Sequence, residues 1–279
     1  MTIIITGING FLGSNIATSL KQNYSVVGIS KTSTFAKGIN TYTSDEIDLI
    51  KIVPDIVIMC HAAVSSGNYF CDIKTLFNSN VLLTETLVNK FPTAKHIYIS
   101  SASIYSNTNN ILDENSNINP LNDYAISKYW GEKISQKVSK SVIVRLSSLY
   151  GLGMKDNTLI PNYVNQAIQS NIIEVWGSGE RKQNYFHVTD AVELIQAIIN
   201  TGSWNKEIYL GVDKHEYSNI EIAKIISSET NAEIVFKNTD TSQSVHFDNT
   251  STRNCLNWAP VTSISTGLKQ YIEWKRKQS

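Results

Sequence analysis

The chain has 279 residues, of which 42% are hydrophobic and 17% charged, and its 24 lysines and arginines equal its 24 aspartates and glutamates. A chain of this length buries a large core without disulfides or a structural metal. Because the formal net charge is zero, the general attraction that drives nucleic-acid and anionic-membrane binding is absent, so neither is an expected partner.

The cysteine pattern and the first residues predict a cytoplasmic protein. Cys60, Cys71 and Cys255 are odd in number and widely spaced, and none belongs to a Cys-x-x-Cys pair. This pattern argues against a disulfide framework and against a metal site. The opening apolar run, Ile3–Ile5, is far shorter than a signal sequence or a membrane span requires.

Short apolar runs alternate with stretches of helical period in the first half of the chain. The predicted strands are Thr2–Thr6, Ser25–Ile29, Asp55–Cys60, His96–Ser100 and Ser141–Leu146, and the helices between them are Phe11–Lys21, Lys74–Lys90 and Tyr124–Ser139. Strands that are apolar throughout are typical of a parallel sheet covered on both faces by helices. After Arg145 the pattern is broken by glycine and proline, and the next predicted helices are Val188–Asn200 and Ile220–Thr230. The sequence therefore predicts an α/β fold, with a doubly wound parallel sheet and a smaller mixed region.

A glycine-rich turn separates the first predicted strand from the first helix. The candidate cofactor-binding residues of this turn are Gly7, Asn9, Gly10, Phe11, Leu12 and Gly13. Gly7 permits a tight turn, Gly10 lets the backbone approach a pyrophosphate, and Gly13 lets the helix pack against the strand. The helix N-terminus adds free N–H groups and a partial positive charge. The turn predicts a Rossmann-type dinucleotide site.

The end of the second predicted strand bears on the choice between NAD and NADP. NAD-binding sites usually carry an acidic residue about 20 residues after the glycine turn, where it holds the ribose 2′-hydroxyl. Here the strand ends in Ser30 and Lys31. A hydroxyl and a cation accommodate a 2′-phosphate that a carboxylate would repel, so NADP is favoured and NAD remains open.

Three tyrosines are followed by a lysine four positions later, which places both side chains on one helix face. These pairs are Tyr124/Lys128, Tyr129/Lys133 and Tyr271/Lys275. An ammonium beside a phenol lowers the pKa of the phenol and makes it a usable acid or base. Tyr124/Lys128 is favoured because it lies one loop beyond Ser101, at the C-terminal end of a predicted strand, where parallel sheets bind ligands. We interpret Tyr129/Lys133 as packing and solvent residues and Tyr271/Lys275 as a surface pair.

The motifs together resemble the extended short-chain dehydrogenase/reductases, in particular the nucleotide-sugar epimerases, dehydratases and reductases. The resemblance rests on the segments Thr6–Gly13, Ser100–Tyr105 and Tyr124–Lys128 and covers nearly the whole chain. It implies an NAD(P)-binding Rossmann domain over residues 1–150 and a mainly substrate-binding region over 151–279, with 186–200 returning to the first domain. It also implies a homodimer, because relatives often pair through the helices that bear the Tyr-Lys pair.

The resemblance implies a role for each matching residue. Tyr124 would be the general acid and base, Lys128 would bind the nicotinamide ribose and lower the pKa of Tyr124, and Ser101 would bind the substrate oxygen at the reacting carbon. Further residues expected to line the cofactor are Cys60, Ala62 and Asn80.

The substrate is expected to be a nucleotide sugar bound by Ser101, Ser148, Arg181 and Gln183. Gln183 stands where many relatives carry an arginine that binds the substrate diphosphate, and Ser148 stands where many carry an asparagine. A diphosphate still requires cations, for which Arg181, Lys182 and Lys237 are candidates.

Departures from the family pattern narrow the reaction. Sugar 4,6-dehydratases carry an Asp-Glu pair after the catalytic hydroxyl, where this chain has Ala102 and Ser103, so dehydration is not expected. A cysteine that serves epimerisation in GDP-fucose synthesis is replaced by Ser103. Two reactions remain open, an NAD-dependent 4-epimerase and an NAD(P)H-dependent reductase.

Ser30 and Lys31 favour the reductase. Its substrate would be a dTDP-, CDP- or GDP-linked 4-keto-6-deoxyhexose used in polysaccharide or O-antigen biosynthesis. A third hypothesis is a non-catalytic NADP-binding regulator, against which the intact set of Ser101, Tyr124 and Lys128 argues.

Overall fold

The computed structural model describes residues 1–32, 38–65, 70–105 and 110–278, apart from the side chain of Lys206. In chain order, its strands are β1 (Thr2–Thr6), β2 (Ser25–Ser30), β3 (Asn40–Thr43), β4 (Ile56–Met59), β5 (Lys95–Ser101), β6 (Ile111–Leu112), β7 (Ser141–Leu146), β8 (Ser148–Tyr150), β9 (Ile172–Trp176), β10 (Lys182–His187), β11 (Asn205–Gly211), β12 (Glu216–Ser218), β13 (Glu233–Lys237) and β14 (His246–Phe247). The helices are α1 (Phe11–Leu20), α2 (Ile73–Phe77), α3 (Leu83–Lys90), α4 (Asp123–Ser135), α5 (Leu159–Ser170), α6 (Val188–Thr201), α7 (Asn219–Thr230), α8 (Thr250–Leu256) and α9 (Ile264–Arg276).

Seven parallel strands form the central sheet, in the order β11-β7-β5-β4-β1-β2-β3. The chain winds outward from β1 to β3, crosses back to β4 and then winds in the other direction. The strand order thus reverses between β1 and β4, which is the point where doubly wound sheets open a ligand crevice.

Both faces of this sheet are buried, because successive side chains of a strand point to opposite faces. Ile3 and Ile5 pack into a core that includes Ile16 of α1 and Leu194 of α6. Ile4, between them, packs into a second core on the other face, together with residues of α3 and α4. Helices therefore cover the sheet on both sides, as the apolar strands predict.

The second region has a hydrophobic core of its own, formed by α5, α7 and α9 around the parallel pair β9 and β13. Tyr271, interpreted from the sequence as part of a surface pair, is fully buried in this core because α9 turns its apolar face inward. Its partner Lys275 is half-buried, and the Lys275 ammonium lies 2.6 Å from the Asp156 carboxylate.

The chain returns to the central sheet after β10. Helix α6 packs against α1, and β11 extends the sheet beside β7. The central sheet therefore includes residues up to Gly211.

The predicted α/β fold with a central parallel sheet is confirmed, and all five predicted strands lie in the sheet. Two of its strands were not predicted from the sequence, β3 because its residues are polar and β11 because it begins with three polar residues. Helix α4 ends at Ser135, before the predicted Ser139, since Lys137 and Val138 donate to carbonyls only three residues back. Among the described helices, none is both long and apolar enough to cross a membrane.

Candidate active site

The glycine turn joins β1 to α1 through close backbone contacts. Gly7 has a φ of 62°, and its carbonyl accepts a hydrogen bond from the Gly10 N–H at 2.8 Å. A Cβ at Gly13 would lie only 2.2 Å from the Gly7 carbonyl oxygen, and a Cβ at Gly7 would lie 2.9 Å from the backbone of Cys60 and His61. The turn therefore brings the N-terminus of α1 against the ends of β1 and β4, at the point where the strand order reverses.

The end of β2 is linked directly to this turn. The Asn9 side-chain amide donates to the Ser30 hydroxyl at 2.8 Å, and the Thr32 backbone N–H donates to the same oxygen at 3.3 Å. Ser30 is buried, whereas Lys31 is exposed. No carboxylate stands at either position, so the polar end of β2 presents a hydroxyl and a cation.

A buried hydrogen-bond chain crosses the segment after β4. The His61 ring contacts the Thr6 hydroxyl at 2.6 Å through Nδ1 and the Thr84 hydroxyl at 3.1 Å through Nε2. Thr84 donates its own proton to the Asn80 carbonyl, so it can only accept from His61. This arrangement assigns the proton of the imidazole to Nε2 and makes Thr6 the donor to Nδ1.

His61 is therefore neutral, and its ring has a structural role. Burial, reinforced by the nearby Lys128, lowers the pKa of His61 to about 3. The ring joins the ends of β1 and β4 to the helical segment that contains Thr84. It supports Cys60 and Ala62 on either side of it, which were predicted to line the cofactor.

Asn80 joins the segment after β4 to helix α4. It is fully buried in a π-helical turn, Asn78–Leu82, between α2 and α3. Its side chain accepts from the Ala63 N–H at 2.8 Å and donates to the Ala63 carbonyl at 3.0 Å and to the Ser127 hydroxyl at 2.9 Å. Both amide protons are thus used within the protein, where they join the segment after β4 to helix α4.

Ser101 and Tyr124 meet at the C-terminal end of β5. Helix α4 is capped by Asn122, whose side chain accepts from the Ala125 N–H at 2.9 Å, and this fixes Tyr124 in the first turn. Burial raises the pKa of Tyr124, and a hydrogen bond with Ser101 opposes this rise. The Ser101 hydroxyl also contacts the Ser103 hydroxyl at 2.8 Å. The tyrosine and the serine can therefore share a proton with an oxygen bound between them.

Lys128 lies one helical turn after Tyr124 and is only 2% exposed. Its ammonium lies 4.3 Å from the centre of the Tyr98 ring, a cation–π contact. Burial lowers the pKa of Lys128 to about 7, against the opposing influence of Glu132 and Cys60. Ser101 and Tyr124 thus share a hydrogen bond, and Lys128 follows one turn further along α4. The expectation that Lys128 lowers the pKa of Tyr124 is wrong, because burial dominates and raises that pKa.

Of the residues predicted for substrate binding, Ser101 lies at the end of β5, whereas the other three lie on or next to β8 and β10 of the small three-stranded sheet. Ser148 is exposed on β8, and Arg181 is half-buried just before β10. Gln183 donates to the Tyr185 hydroxyl and to the Asn219 side chain, both at 3.0 Å. The hydrogen bonds of Gln183 therefore join elements of the second region to one another and do not run to Ser101 or Tyr124.

Several residues that shape the site carry no sequence motif. Thr6 and Thr84 fix the imidazole of His61, and a buried Glu132 lies one turn beyond Lys128. The spacing of Glu132 from Lys128, four residues along one helix, was the only available signal for it.

Comparisons with known proteins agree with this geometry. A protein-family model, described as the NAD dependent epimerase/dehydratase family, matches residues 3–211. A dTDP-D-glucose 4,6-dehydratase of Dictyostelium discoideum is 27% identical, in a match that covers 80% of this chain and 61% of that protein. A provisionally named UDP-glucose 4-epimerase of Methanocaldococcus jannaschii is 24% identical over 99% of both proteins. The UDP-glucuronic acid 4-epimerase of Bacillus cereus, solved in complex with NAD, superimposes with a TM-score of 0.88 at 20% identity, over 100% of this chain and 99% of that one.

Proposed function

Because the chain belongs to the NAD dependent epimerase/dehydratase family, we propose that it is a nucleotide-sugar 4-epimerase. The observation that carries this proposal is the assembled set of Ser101, Tyr124 and Lys128, next to Ala102 and Ser103 rather than an acidic pair. The set supports oxidation and reduction at a sugar carbon, whereas the absence of neighbouring acids does not support dehydration. The full-length likeness to a protein named as a UDP-glucose 4-epimerase favours this reaction over reduction.

The residues around the glycine turn fit a dinucleotide. Gly7 and Gly13 let the turn, the start of α1 and the end of β4 approach one another more closely than any side chain would allow, and no side chain caps the N-terminus of α1 at Gly10. NAD, when bound, would accept a hydride from the sugar carbon and later return it. Lys128 is the cation available to hold the nicotinamide ribose.

Side chains of the protein would accept the proton of the sugar hydroxyl and later return it. Tyr124 would take the proton from the sugar hydroxyl while the carbon is oxidised and give it back while the carbon is reduced. Ser101 would hold the same oxygen, and its hydrogen bond to Tyr124 favours the ionised form of the phenol against the effect of burial. For the configuration at the sugar carbon to invert, the ketosugar must turn so that the hydride returns to its opposite face.

Arg181 is the residue we assign to the substrate diphosphate. A diphosphate needs a cation, and Gln183 is engaged with Tyr185 and Asn219. Replacing Arg181 with Ala would then raise KM for the nucleotide sugar more than it lowers kcat.

A reductase is the second candidate, and a specific observation favours it. The end of β2 presents Ser30 and Lys31 in place of a carboxylate, which suits the 2′-phosphate of NADPH. Such an enzyme would consume NADPH and reduce a nucleotide-linked 4-keto-6-deoxyhexose destined for a polysaccharide. The regulator hypothesis is less favoured, because a regulator has no need of a proton donor beside Ser101.

One experiment separates these candidates. The purified protein would be incubated with UDP-glucose, first alone and then with NAD, and the formation of UDP-galactose would be followed by NMR. A parallel panel of 4-keto-6-deoxysugars with NADPH would be followed by the loss of nicotinamide absorbance. Epimerisation without consumption of a reduced cofactor supports the proposal, and consumption of NADPH supports the reductase. If neither reaction is observed, both candidates are contradicted.

Tyr124→Phe tests the assigned proton carrier. We expect turnover to fall by about 10²–10⁴-fold, the range for loss of a general acid or base. Tyr129→Phe is the matched control, because Tyr129 is on the same helix and its ring contacts Lys133. A Tyr124→Phe variant as active as the wild-type protein would remove Tyr124 from this role.

We also propose a homodimer that pairs through α2 and α4. Ile73, Leu82, Ile126 and Trp130 expose apolar surface there, and an edge-to-face contact of Phe77 with Trp130 at 5.3 Å joins the two helices. Contiguous apolar surface of this kind is typical of an interface. Trp130→Glu should shift the sedimentation coefficient to that of a monomer.

The control for the interface is Lys133→Glu, which also introduces an acidic residue on α4, at an exposed position. A Trp130→Glu protein that sediments like the wild type would contradict pairing through this face.

A further inference from the structure

A buried ion pair lies one helical turn beyond Lys128. The Glu132 carboxylate on α4 accepts two hydrogen bonds from the Arg145 guanidinium on β7, at 3.0 and 2.9 Å. Glu132 is 1% exposed and Arg145 is 3% exposed. Two charges are stable at this depth only when each is paired and well hydrogen-bonded.

Arg145 ties this pair to the segment that follows Ser101. Its NH1 group donates to the Tyr105 hydroxyl at 2.6 Å and to the Glu114 carbonyl at 3.1 Å. Arg145 also lies beside Ser100 in the register of β5 and β7. The ion pair therefore connects the helix that carries Tyr124 and Lys128 to the strand end that carries Ser101.

The surroundings of Lys128 contain titratable groups from several elements. Cys60 follows β4, Tyr98 lies on β5, and Glu132 lies on the same helix as the lysine. Burial raises the pKa of the Cys60 thiol to about 12 and raises the pKa of Tyr98 well above its ordinary value, so both are neutral. His61 is also neutral, because its pKa is about 3.

Glu132 differs from these groups because its carboxylate forms an ion pair, with two hydrogen bonds from the Arg145 guanidinium. Of the influences that raise the pKa of Lys128, that of Glu132 is the largest.

We propose that Glu132 is a positioning residue for Lys128: its carboxylate, anchored by Arg145, keeps the buried ammonium charged and holds α4 in register with the end of β5. This inference depends on the proposed function in one respect, namely that Lys128 is the lysine that acts in the proposed reaction. A pair with a purely structural role would stabilise the fold without affecting the protonation of Lys128.

The test measures the titration of Lys128 directly, in the protein without substrate or cofactor. Protein labelled with ¹⁵N at the lysine side chains would be titrated through neutral pH by NMR, with the Lys128 signal assigned by its loss in Lys128→Met. In Glu132→Gln we expect the titration midpoint to fall by one pH unit or more, which is about a tenfold loss of proton affinity. An unchanged midpoint in this variant overturns the proposal.

Two further variants make the result decisive. Glu132→Gln/Arg145→Met leaves no uncompensated buried charge, so it gives the answer if the single variant does not fold. Its midpoint should fall by less than that of Glu132→Gln, because the opposing cation is removed too. Glu85→Gln is the control, since Glu85 forms an exposed 3.6 Å ion pair with Lys137 just beyond α4. A shift in Glu85→Gln as large as that in Glu132→Gln would also overturn the proposal.

The titration and the enzyme assay can fail independently. A protein that does not epimerise nucleotide sugars but shows the shifted midpoint keeps the positioning role and loses the proposed function. In an active enzyme, the pH profile of kcat for the folded Glu132 variants should move in the same direction as the Lys128 midpoint, while KM for the sugar changes little.

Discussion

Gly13→Ala should destabilise the protein, although alanine is the better helix former. A Cβ at position 13 would lie 2.2 Å from the Gly7 carbonyl oxygen and 2.9 Å from the Gly7 carbonyl carbon. Carbon and oxygen atoms that are not bonded normally stay about 3.3 Å or more apart. The overlap of about 1 Å is with backbone atoms, which cannot rotate away as a side chain can.

The net magnitude follows from two opposing effects. Overpacking a tight site costs about 3 kcal/mol or somewhat more at its upper end. Alanine gains about 1 kcal/mol over glycine in a helix interior. We therefore expect the free energy of unfolding to fall by about 2 kcal/mol, together with weaker binding of a dinucleotide, because the Gly7 turn must shift.

Urea unfolding followed by tryptophan fluorescence would measure the loss, and calorimetry would measure NAD binding. Gly10→Ala is a graded comparison, because its Cβ would lie 3.0 Å from the same oxygen and should cost less. Gly153→Ala is a second comparison, with nothing within 4 Å but a φ of +86°, so it isolates the cost of backbone strain. A Gly13→Ala protein as stable as the wild type would refute the steric argument.

Two other predictions concern the cofactor end of the sheet. Lys31→Asp should lower the affinity for NADP(H) relative to NAD(H) about tenfold, equal to about 1.4 kcal/mol, because a carboxylate repels a 2′-phosphate; calorimetry with both cofactors measures it. His61 has a pKa of about 3 in the fold against 6.5 for an ordinary histidine, so the unfolded state binds more protons between these values and stability falls as pH drops from about 6.5 toward 3. His61→Gln should reduce this decline by about 1 kcal/mol per pH unit, measured by urea unfolding at several pH values.

Each of these predictions has a matched control. Lys21→Asp makes the same charge change at the far end of α1 and should leave the cofactor preference unchanged. His215→Gln replaces an exposed histidine and should leave the pH slope unchanged. A cofactor ratio that Lys31→Asp does not alter, or a slope that His61→Gln does not alter, would contradict the corresponding interpretation.

Much of the fold could be predicted from local sequence. The strand Thr2–Thr6 and the turn Gly7–Gly13 are set by an apolar run and by glycine spacing, both of which depend on neighbouring residues only. β3 and β11 could not be found in this way. Their pairing with β2 and β7 compensates for polar composition, and that pairing exists only in the assembled sheet.

The candidate site likewise contains residues that could be predicted from the sequence and residues that could not. Tyr124 and Lys128 could be chosen from three similar pairs because their position relative to Ser101 follows from the alternation of strands and helices. The burial of Tyr271 could not be anticipated, since it depends on how α9 packs against α5 and α7. The same is true of Asn80, whose amide protons find partners in Ala63 and Ser127, far apart in the sequence.

The sequence by itself determined the fold class, and it predicts the dinucleotide turn and the Tyr124/Lys128 pair, because each depends on spacing along a single strand, turn or helix. The tertiary structure alone decided which groups are charged or neutral. Burial, reinforced by Lys128, keeps His61 neutral. Burial also lowers the pKa of Lys128 to about 7, while Glu132, hydrogen-bonded by Arg145, raises it. Protonation depends on burial and on partners from distant segments, and only folding brings these together.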